Sequence, residues 1–393
     1  MPTKSKPRPI TAKQSLAIAI VCAVMWIIQG STLMSHARRN DFLNLYTGAS
    51  MALHGNWNTI YTEAGQLARE QEFMPSRKVV WPFVRPPAYA VIMAPLALLP
   101  FGTAFWVWIF GQSTALAACW IWAWRRFGPE SVIWGVFMIF GPLGIAHGQD
   151  CALYLAVLTG AFALAEKKRF FASGLALGLG MVKFHLFLLW PLVLLFQKRW
   201  RMFAGLSTCV AAQLTLSFWL IGWSGLRHYA DFILHLTAFY SPDSYINIEA
   251  ILLNLGLSST LLLTVLRILL AGLILWAARR PQPLWTVFAL ATAGSLAIGP
   301  HVYAYDGTMM LLPAWCVIYL SAWPVSRLAA ATICTPLTAA ATLIGPPVAC
   351  FTAAVILLLA TALCLESRRA PVPAEDRVAT SDPAQPATAA TPC

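Results

Sequence analysis

Apolar runs of membrane-spanning length follow one another along most of the chain, with short polar or basic turns between them. A helix needs about 20 predominantly apolar residues to cross the hydrocarbon core of a bilayer. The runs fall near residues 15–34, 88–124, 131–147, 151–165, 170–185, 186–197, 202–222, 257–278, 284–299, 307–322, 328–344 and 348–364. The pattern predicts an all-α polytopic membrane protein, a bundle of about 12 transmembrane helices.

The run at 88–124 is long for one straight crossing. It contains Pro95 and Pro100, and proline interrupts a helix because it lacks a backbone N–H and its ring clashes with the preceding turn. We therefore expect a kinked helix, or a short re-entrant piece followed by a helix, with one net crossing.

Composition and charge agree with this class, since 59% of the residues are hydrophobic and 11% are charged, against roughly a quarter charged in soluble domains. The nine cysteines form no CxxC pair, so neither a disulfide framework nor a zinc site is indicated. Lysines and arginines cluster in alternate turns, which the positive-inside rule places in the cytoplasm. They are Lys4, Lys6, Arg8, Lys13, Arg125, Arg126, Lys167, Lys168, Arg169, Lys198, Arg199, Arg279, Arg280, Arg368 and Arg369.

This orientation divides the chain into three parts. Residues 1–14 are a basic cytoplasmic N-terminus, residues 15–365 form the transmembrane domain with an outer loop at 35–87, and residues 366–393 are a Pro/Ala/Thr-rich tail that we expect to be disordered in the cytoplasm. The basic start and the sequence "SHA" also fit a signal peptide. The parity of the later spans favours a first span that is retained.

The first outer loop is the largest hydrophilic segment, and parts of it repeat apolar residues with helical spacing. In "LYTGASMALHG" the stripe is Leu45, Ala49 and Ala52, and in "TEAGQLAREQEF" it is Ala64, Leu67 and Ala68. Such patterns predict short helices lying along the membrane interface.

The polar residues that are unusual for a membrane protein converge on the outer side of this topology, whereas the cytoplasmic turns are merely basic. An outer loop is expected at 227–250 and an outer turn at 299–308. The residues concerned are Asp41, Gln149, Asp150, Lys183, His185, Glu249, His301, Tyr303 and Asp306. The outer face is therefore predicted to hold a functional site.

The ordered set of segments "DFLNLYTGASMALHG", "WPFVRPPAYAVIMAPLALLP", "GQD", "GLALGLGMVKFHLFLLWPLVLL" and "GPHVYAYDGTMMLLPA" resembles glycosyltransferase family 87, the bacterial polyprenol-phosphate-dependent membrane glycosyltransferases. The resemblance covers residues 15–320. It implies a GT-C-type fold with interfacial helices in the first outer loop, and a site at the outer surface of the cytoplasmic membrane. The chain departs from the family pattern at "VKFH" and "GQD", which leaves the donor sugar and the acceptor open.

The resemblance also implies a reaction. A mannose-like hexose or a pentose would pass with inversion from a polyprenyl-phosphate-sugar donor to a lipid or glycan acceptor. The position that matches the family's catalytic acid is Asp41. Membrane lipids surround such an enzyme, and no nucleic acid is expected as a partner.

The residues themselves fit this chemistry, because inverting transfer needs one carboxylate as base and positive charge or hydrogen bonds for the departing phosphate. Asp41 is the candidate base, and Glu249 is its competitor. Candidates for the donor phosphate or other substrate groups are Arg38, Arg39, Lys183, His185, His301, Asp306, Gln149 and Asp150, and those for stacking on a sugar are Trp57, Trp81 and Tyr303. Structural alternatives stay open: helix capping for Asp41, Asp306, Gln149 and Asp150, and interfacial packing for the others.

No Gly-rich phosphate loop, DxD pair or His/Cys cluster is present, so no cofactor is predicted, and a metal requirement cannot be read from the sequence. Arg267 lies inside an apolar run, where an arginine is costly and usually pairs with an acid or meets an anionic lipid. The alternative functions are a transporter or flippase, which should carry ionisable residues near the midplane, and a non-catalytic scaffold, which predicts no clustering on one face.

Overall fold

The computed structural model describes residues 41–235, 245–338, 341 and 350–369. The first predicted span at 15–34, the basic N-terminus, Arg38, Arg39 and the tail from residue 370 lie outside the described residues. Predictions for them stay predictions.

The described residues form α-helices joined by short connections, and no strand occurs among them beyond one isolated β-bridge between Tyr245 and Tyr303. The helices are α1 (Phe42–Leu53), α2 (Glu63–Phe73), α3 (Pro87–Met93), α4 (Phe101–Phe127), α5 (Glu130–Phe137), α6 (Phe140–Ala146), α7 (Cys151–Glu166), α8 (Phe170–Gly180), α9 (Trp190–Phe196), α10 (Trp200–His235), α11 (Ile248–Asn254), α12 (Thr260–Ala278), α13 (Leu284–Ile298), α14 (Leu311–Leu320), α15 (Pro324–Ile333) and α16 (Cys350–Arg369). Three 3₁₀ segments, Ala94–Leu98, Met181–Leu186 and Ala304–Met310, extend this series.

Within the described part, four helices are long and apolar enough to cross a membrane: Phe101–Phe127, Trp200–His235, Thr260–Ala278 and Cys350–Arg368. Other predicted runs form shorter helices. The run at 131–147, for example, divides into α5 and α6, because Pro142 has no N–H to continue a helix through residue 138. The count of about 12 spans therefore stays a prediction.

The long run at 88–124 is divided where its prolines predicted an interruption. Pro95 lies in the first turn of the 3₁₀ segment, and Pro100 caps the start of α4, positions where its missing N–H costs no helical hydrogen bond. Helix α4 then continues for 27 residues.

The C-terminal part of helix α10 shows that one prediction was wrong. Residues 227–250 were expected to be an outer loop, but the helical segment continues to His235 and is interrupted at Gly222, with φ 62° and ψ −171°, a conformation that glycine adopts without steric cost. Beyond the interruption, the Tyr229 ring lies 4.6 Å from that of Tyr61. This part of α10 therefore packs against the segment at 35–87 that was predicted to be the first outer loop.

Burial separates helices inside the bundle from helices on its surface. In α13, every residue from Thr286 to Ile298 is buried. Helices α4, α10 and α12 instead expose large apolar side chains, including Phe110, Trp219 and Leu261. Exposed apolar side chains on long helices are stable in lipid rather than in water, so the described helices indicate a membrane protein.

The two helices predicted in the first outer loop are present as α1 and α2, while their position at a membrane interface stays a prediction. The apolar stripe predicted for α2 is wrong: Ala64 and Ala68 are exposed, whereas Gln66 and Glu70 are buried. The physical reason is hydrogen bonding, since Gln66 and Glu70 accept backbone N–H groups from residues 83 and 81, which periodicity of apolar residues does not report.

Candidate active site

Asp41 stands immediately before α1, and two distant side chains hold its carboxylate. The indole Nε1 of Trp81 donates to Oδ1 at 2.6 Å, and Nε2 of Gln149 donates to Oδ2 at 2.5 Å. Its backbone N–H donates to the carbonyl of His147 at 2.8 Å. Although Asp41 occupies the N-cap position, its side chain makes no capping hydrogen bond, so the capping interpretation is wrong for this carboxylate.

The surroundings of Asp41 make it a stronger base than an ordinary aspartate. Burial raises the pKa of its carboxyl group, and the hydrogen bonds from Gln149 and Trp81, with the charges of His147 and Lys183, act in the opposite direction without cancelling the effect. A raised pKa brings a carboxylate closer to the range in which general bases work near neutral pH.

Asp150, at the start of α7, is the centre of a buried hydrogen-bond network. One guanidinium nitrogen of Arg85, Nη2, lies 3.0 Å from each carboxylate oxygen, and the hydroxyls of Tyr89 and Tyr154 donate to Oδ2 at 2.9 and 2.8 Å. Burial opposes ionisation, but the charges of Arg85 and Lys183 and the two hydroxyls lower the pKa of Asp150 to about 2. With this low pKa the carboxylate is ionised and pairs with Arg85. Because it makes no capping bond, the capping interpretation is wrong for Asp150.

Lys183 joins this network from the 3₁₀ segment after α8, where its own backbone departs from helical geometry. Its Nζ lies 2.6 Å from Oδ1 of Asp306 and 3.7 Å from Oδ1 of Asp150. Asp306 also accepts the backbone N–H of Tyr303 at 3.0 Å and the Cys151 thiol at 3.4 Å. The N-cap of the 3₁₀ segment at 304–310 is Tyr303, and Asp306 takes part in its capping box as the third residue of the segment.

Two cations, Arg85 and Lys183, and two anions, Asp150 and Asp306, therefore balance one another inside the protein. Buried charges are tolerated when they are paired and their remaining hydrogen-bond positions are filled. The ammonium group of Lys183 is paired with the carboxylates of Asp150 and Asp306. Its role in binding a donor phosphate stays a prediction.

His185 follows Lys183 by two residues and is half-buried. Within the described chain its Nε2 atom is buried and has no hydrogen-bond partner. Such a polar atom is costly unless a partner reaches it, so this ring remains a candidate for substrate binding.

A second polar cluster lies at Tyr245, Glu249, Arg267 and His301. The Tyr245 hydroxyl is 2.6 Å from Nδ1 of His301, and Nη2 of Arg267 is 2.8 Å from Oε2 of Glu249. Burial lowers the pKa of His301, an effect that Glu249 opposes and Arg267 reinforces. The prediction that Arg267 pairs with an acid is confirmed, and Glu249, the competitor of Asp41, is that acid.

Aromatic rings connect the surroundings of Asp41 with this second polar cluster. Tyr245 meets Tyr303 edge to face at 5.0 Å, Tyr303 stacks on Tyr305 at 5.4 Å, and Tyr305 lies 6.1 Å from the ring of His147. Because the His147 carbonyl is bonded to Asp41, a continuous series of contacts runs from Asp41 to His301. Three residues named as site candidates from the sequence, Asp41, Tyr303 and His301, are thus part of one series of contacts.

Trp81 and Trp57 have different positions. Trp81 is 41% exposed beside Asp41, as a sugar-stacking residue would be. Trp57 is half-buried against the apolar core, and no described contact ties it to Asp41.

Sequence reasoning missed Arg85, Tyr89, Tyr154 and Tyr305. Arg85 had a usable signal, since it is the one charge in "WPFVRPPAYA", at the point where the chain returns to apolar sequence, and a charge there usually has a buried partner. The tyrosines have none, because single tyrosines in apolar helices are common. Among the described residues no group of three or more His, Cys, Asp or Glu side chains is arranged to hold a metal ion.

These observations define a helical membrane protein in which a buried carboxylate, aromatic rings and paired charges are connected by direct contacts. Residues 83–300 match the family model of glycosyltransferase family 87. This is more than half of the chain, which therefore belongs to that family, and the predicted resemblance is confirmed. Membership implies a glycosyltransferase. Comparison with curated proteins and with solved structures gave no match.

The matched segment contains Arg85, Asp150, Lys183 and Glu249, whereas Asp41 precedes it. The connection between Asp41 and the family segment is structural: Gln149, inside the segment, donates to the Asp41 carboxylate.

Proposed function

We propose that this protein transfers a mannose-like hexose or a pentose, with inversion, from a polyprenyl-phosphate sugar to a lipid or glycan acceptor on the outer face of the cytoplasmic membrane, with Asp41 as the general base. The observation that carries the proposal is the Asp41 carboxylate, which caps no helix and is held by Trp81 and Gln149 in a chain of a glycosyltransferase family.

Inverting transfer is a single displacement at the anomeric carbon. The acceptor oxygen forms a bond to that carbon while its proton passes to Asp41. The bond from the carbon to the phosphate oxygen breaks, and its electron pair leaves with the lipid phosphate. Each carboxylate oxygen of Asp41 has one hydrogen bond and keeps a lone pair for the acceptor hydroxyl.

The departing phosphate gains negative charge and needs donors or cations beside it. We assign this role to His301 and His185, together with Lys183, Arg38 and Arg39. The buried Nε2 atom of His185, which lacks a partner among the described residues, and the position of His301 beside the Glu249–Arg267 pair support the assignment.

A lipid-linked donor also accounts for the position of the site. Its tail can remain among the exposed apolar side chains of helices such as α12, while its charged head reaches the polar cluster. Trp81 and Tyr303 are the proposed sugar-stacking surfaces, and Gln149, Asp150 and Asp306 support the cluster through the bonds described above.

The test is sugar transfer by the purified full-length protein in lipid nanodiscs, with synthetic polyprenyl-phosphate sugars as donors. Asp41→Asn should lower the rate by at least about 100-fold, the usual scale of general base catalysis. The matched control is Asp231→Asn, an exposed residue of α10, which should keep the parental rate.

Transfer retained by Asp41→Asn would reject Asp41 as the base. A parent protein that transfers from none of the donors, yet moves a labelled lipid-linked sugar between leaflets, would favour the alternative function of a flippase.

A further inference from the structure

The loop that carries Trp81 is attached to α2 by two buried side chains one helical turn apart. Gln66 Oε1 accepts the backbone N–H of Phe83 at 2.7 Å, and the Glu70 carboxylate accepts that of Trp81 at 2.9 and 3.1 Å. Four residues of helix rise about 6 Å, and two residues of extended chain span about 6.6 Å. The two spacings match, so one face of α2 fixes alternate residues of the loop.

Glu70 differs from Gln66 in being able to carry a charge, although a neutral amide holds the same kind of bond four residues earlier. The Glu70 side chain is 0% exposed, and Nε of Arg77 lies 3.5 Å from its Oε2. The same guanidinium lies over the Trp81 ring, 5.3 Å from its centroid. Glu70 thus holds Trp81 twice, directly at its backbone and through Arg77 at its ring.

Trp81 has few other constraints, because it lies in a connection without regular structure and is 41% exposed. The orientation of its indole nevertheless matters, since Nε1 donates to Asp41. A hydrogen bond to the charged form of a carboxylate lowers its pKa, so a displaced indole changes the strength of the base.

We propose that Glu70 is a positioning residue for sugar transfer, which through Trp81 and Arg77 fixes the indole N–H on Asp41 and makes that placement depend on pH. The inference rests on the proposed function of Asp41, but the arrangement itself can be tested without turnover.

Glu70 gains or loses its proton within the pH range in which enzymes usually work. Burial raises the pKa of its carboxyl group to about 7, while the Trp81 N–H and Arg77 act in the opposite direction. Arg77 faces Glu70 from the following loop, and Asp41 and His147 lie beyond the indole. Arg69, on the same helix, is turned instead toward Ser50, His54 and Glu72.

Protonation of Glu70 removes the charge that attracts Arg77 and leaves the backbone bond in place. The well-ordered arrangement is therefore the ionised one, present above about pH 7. We expect Trp81 to be held less firmly below that pH.

The first experiment observes Trp81 directly by fluorine NMR. The full-length protein is labelled with 5-fluorotryptophan at its 17 tryptophans, and the Trp81 resonance is assigned by its loss in Trp81→Phe. In the parent this resonance should shift with a midpoint near pH 7. Glu70→Gln should abolish the shift. The matched control is Glu72→Gln, which removes an exposed charge from the same helix and should leave the titration intact.

A Trp81 resonance that does not titrate in the parent, or that titrates equally in Glu70→Gln, would overturn the proposal. This readout needs no sugar transfer. A parent with the titration but without transferase activity would therefore reject the proposed function and retain the positioning role.

The second experiment is a double-mutant cycle on kcat at pH 8. We expect Glu70→Gln to lower kcat several-fold with little change in the KM of the donor, and Glu70→Ala, which also loses the backbone acceptor, to lower it more. Since Glu70 acts through Trp81, adding Glu70→Gln to Trp81→Phe should cause little further loss. Additive losses would contradict the proposed route through Trp81.

Discussion

Lys183 and Asp306 are 123 residues apart in sequence, and their charged groups meet at 2.6 Å inside the protein. The pair joins the segment after α8 to the segment before α14, directly beside the Asp150 network. The aromatic contacts that lead to Asp41 are therefore supported by a buried pair of charges.

Asp306→Asn should destabilise the protein strongly. Removing one partner of a buried ion pair leaves the other charge uncompensated, which typically costs about 3–5 kcal/mol. Thermal unfolding in detergent micelles should show a clearly lower midpoint for this variant.

The control for this prediction is Glu166→Gln, which breaks the partly exposed pair between Arg126 and Glu166. Surface pairs contribute about 0–1 kcal/mol, so its midpoint should change little. Equal shifts for the two variants would show that the Lys183–Asp306 pair behaves as a surface pair.

Gln149→Met should raise the pKa of Asp41 and so alter the pH dependence of the reaction. The substitution keeps the approximate size of the side chain but removes the donor to Oδ2 of Asp41. Because that bond lowers the pKa of Asp41, its loss should move the acidic limb of the kcat/KM profile to higher pH.

Gln213→Met is the matched control, since Gln213 donates to the carbonyl of Gly178 on α8 and has no described bond to the Asp41 cluster. Its pH profile should coincide with that of the parent. A downward shift in Gln149→Met would contradict the assigned role of this amide.

Glu70→Gln should stabilise the fold at pH 8 and have little effect at pH 4. The folded-state pKa of about 7 lies above the ordinary value of 4.5, so the folded state binds the proton more tightly than the unfolded state. The stability that protonated Glu70 gives to the folded parent protein is fully present below about pH 4.5. It is lost as the pH rises through about 7 and Glu70 becomes charged.

The measurement is the unfolding midpoint of the parent and Glu70→Gln across this pH range. The difference between them should grow in favour of the variant from pH 5 to pH 8. A variant that loses activity at pH 8 while gaining stability would show that the carboxylate is kept for function.

Gly222→Ala should destabilise α10 through its backbone alone. The φ of 62° at this position is unfavourable for a residue with Cβ, although no atom lies within 4 Å of the place that a Cβ would take. The expected cost is about 1–3 kcal/mol, measured as a lower unfolding midpoint.

Gly272→Ala in α12 is the control, since a Cβ there also meets no atom within 4 Å and the backbone is helical. Alanine in a helix is favoured over glycine by about 0.5–1 kcal/mol. The two substitutions should therefore shift the midpoint in opposite directions, and a shift of the same sign would indicate that the interruption at Gly222 carries no strain.

The helical class of the protein was predictable because apolar runs and prolines act locally. Pro95 and Pro100 lie where the run at 88–124 is divided, as predicted, whereas the division of the run at 131–147 was not predicted. The burial of α2 was not predictable from its apolar residues, since the face that packs inward carries Gln66 and Glu70, whose partners belong to a loop.

Asp41 and most of the polar residues around it could be named as candidates from the sequence, and their position on the outer side of the membrane stays a prediction. Which of them pair with one another was not predictable. Gln149 reaches Asp41 across 108 residues, and Arg85 reaches Asp150 across 65, and one sequence contains no information on which outer residue meets which. For Lys183 the sequence suggested a contact with the donor phosphate or a side chain extended to the interface, because its carboxylate partners are distant in sequence.

The hydrogen bonds of Asp41 have a consequence for the order in which the protein becomes active. One donor, Trp81, belongs to the first outer loop, and the other, Gln149, belongs to the junction of α6 and α7. Neither part alone supplies both donors. With Asp41 as the proposed base, a newly inserted chain would acquire both donors to this carboxylate only after the loop has docked on the helices, so a half-assembled molecule would hold Asp41 with one donor or none.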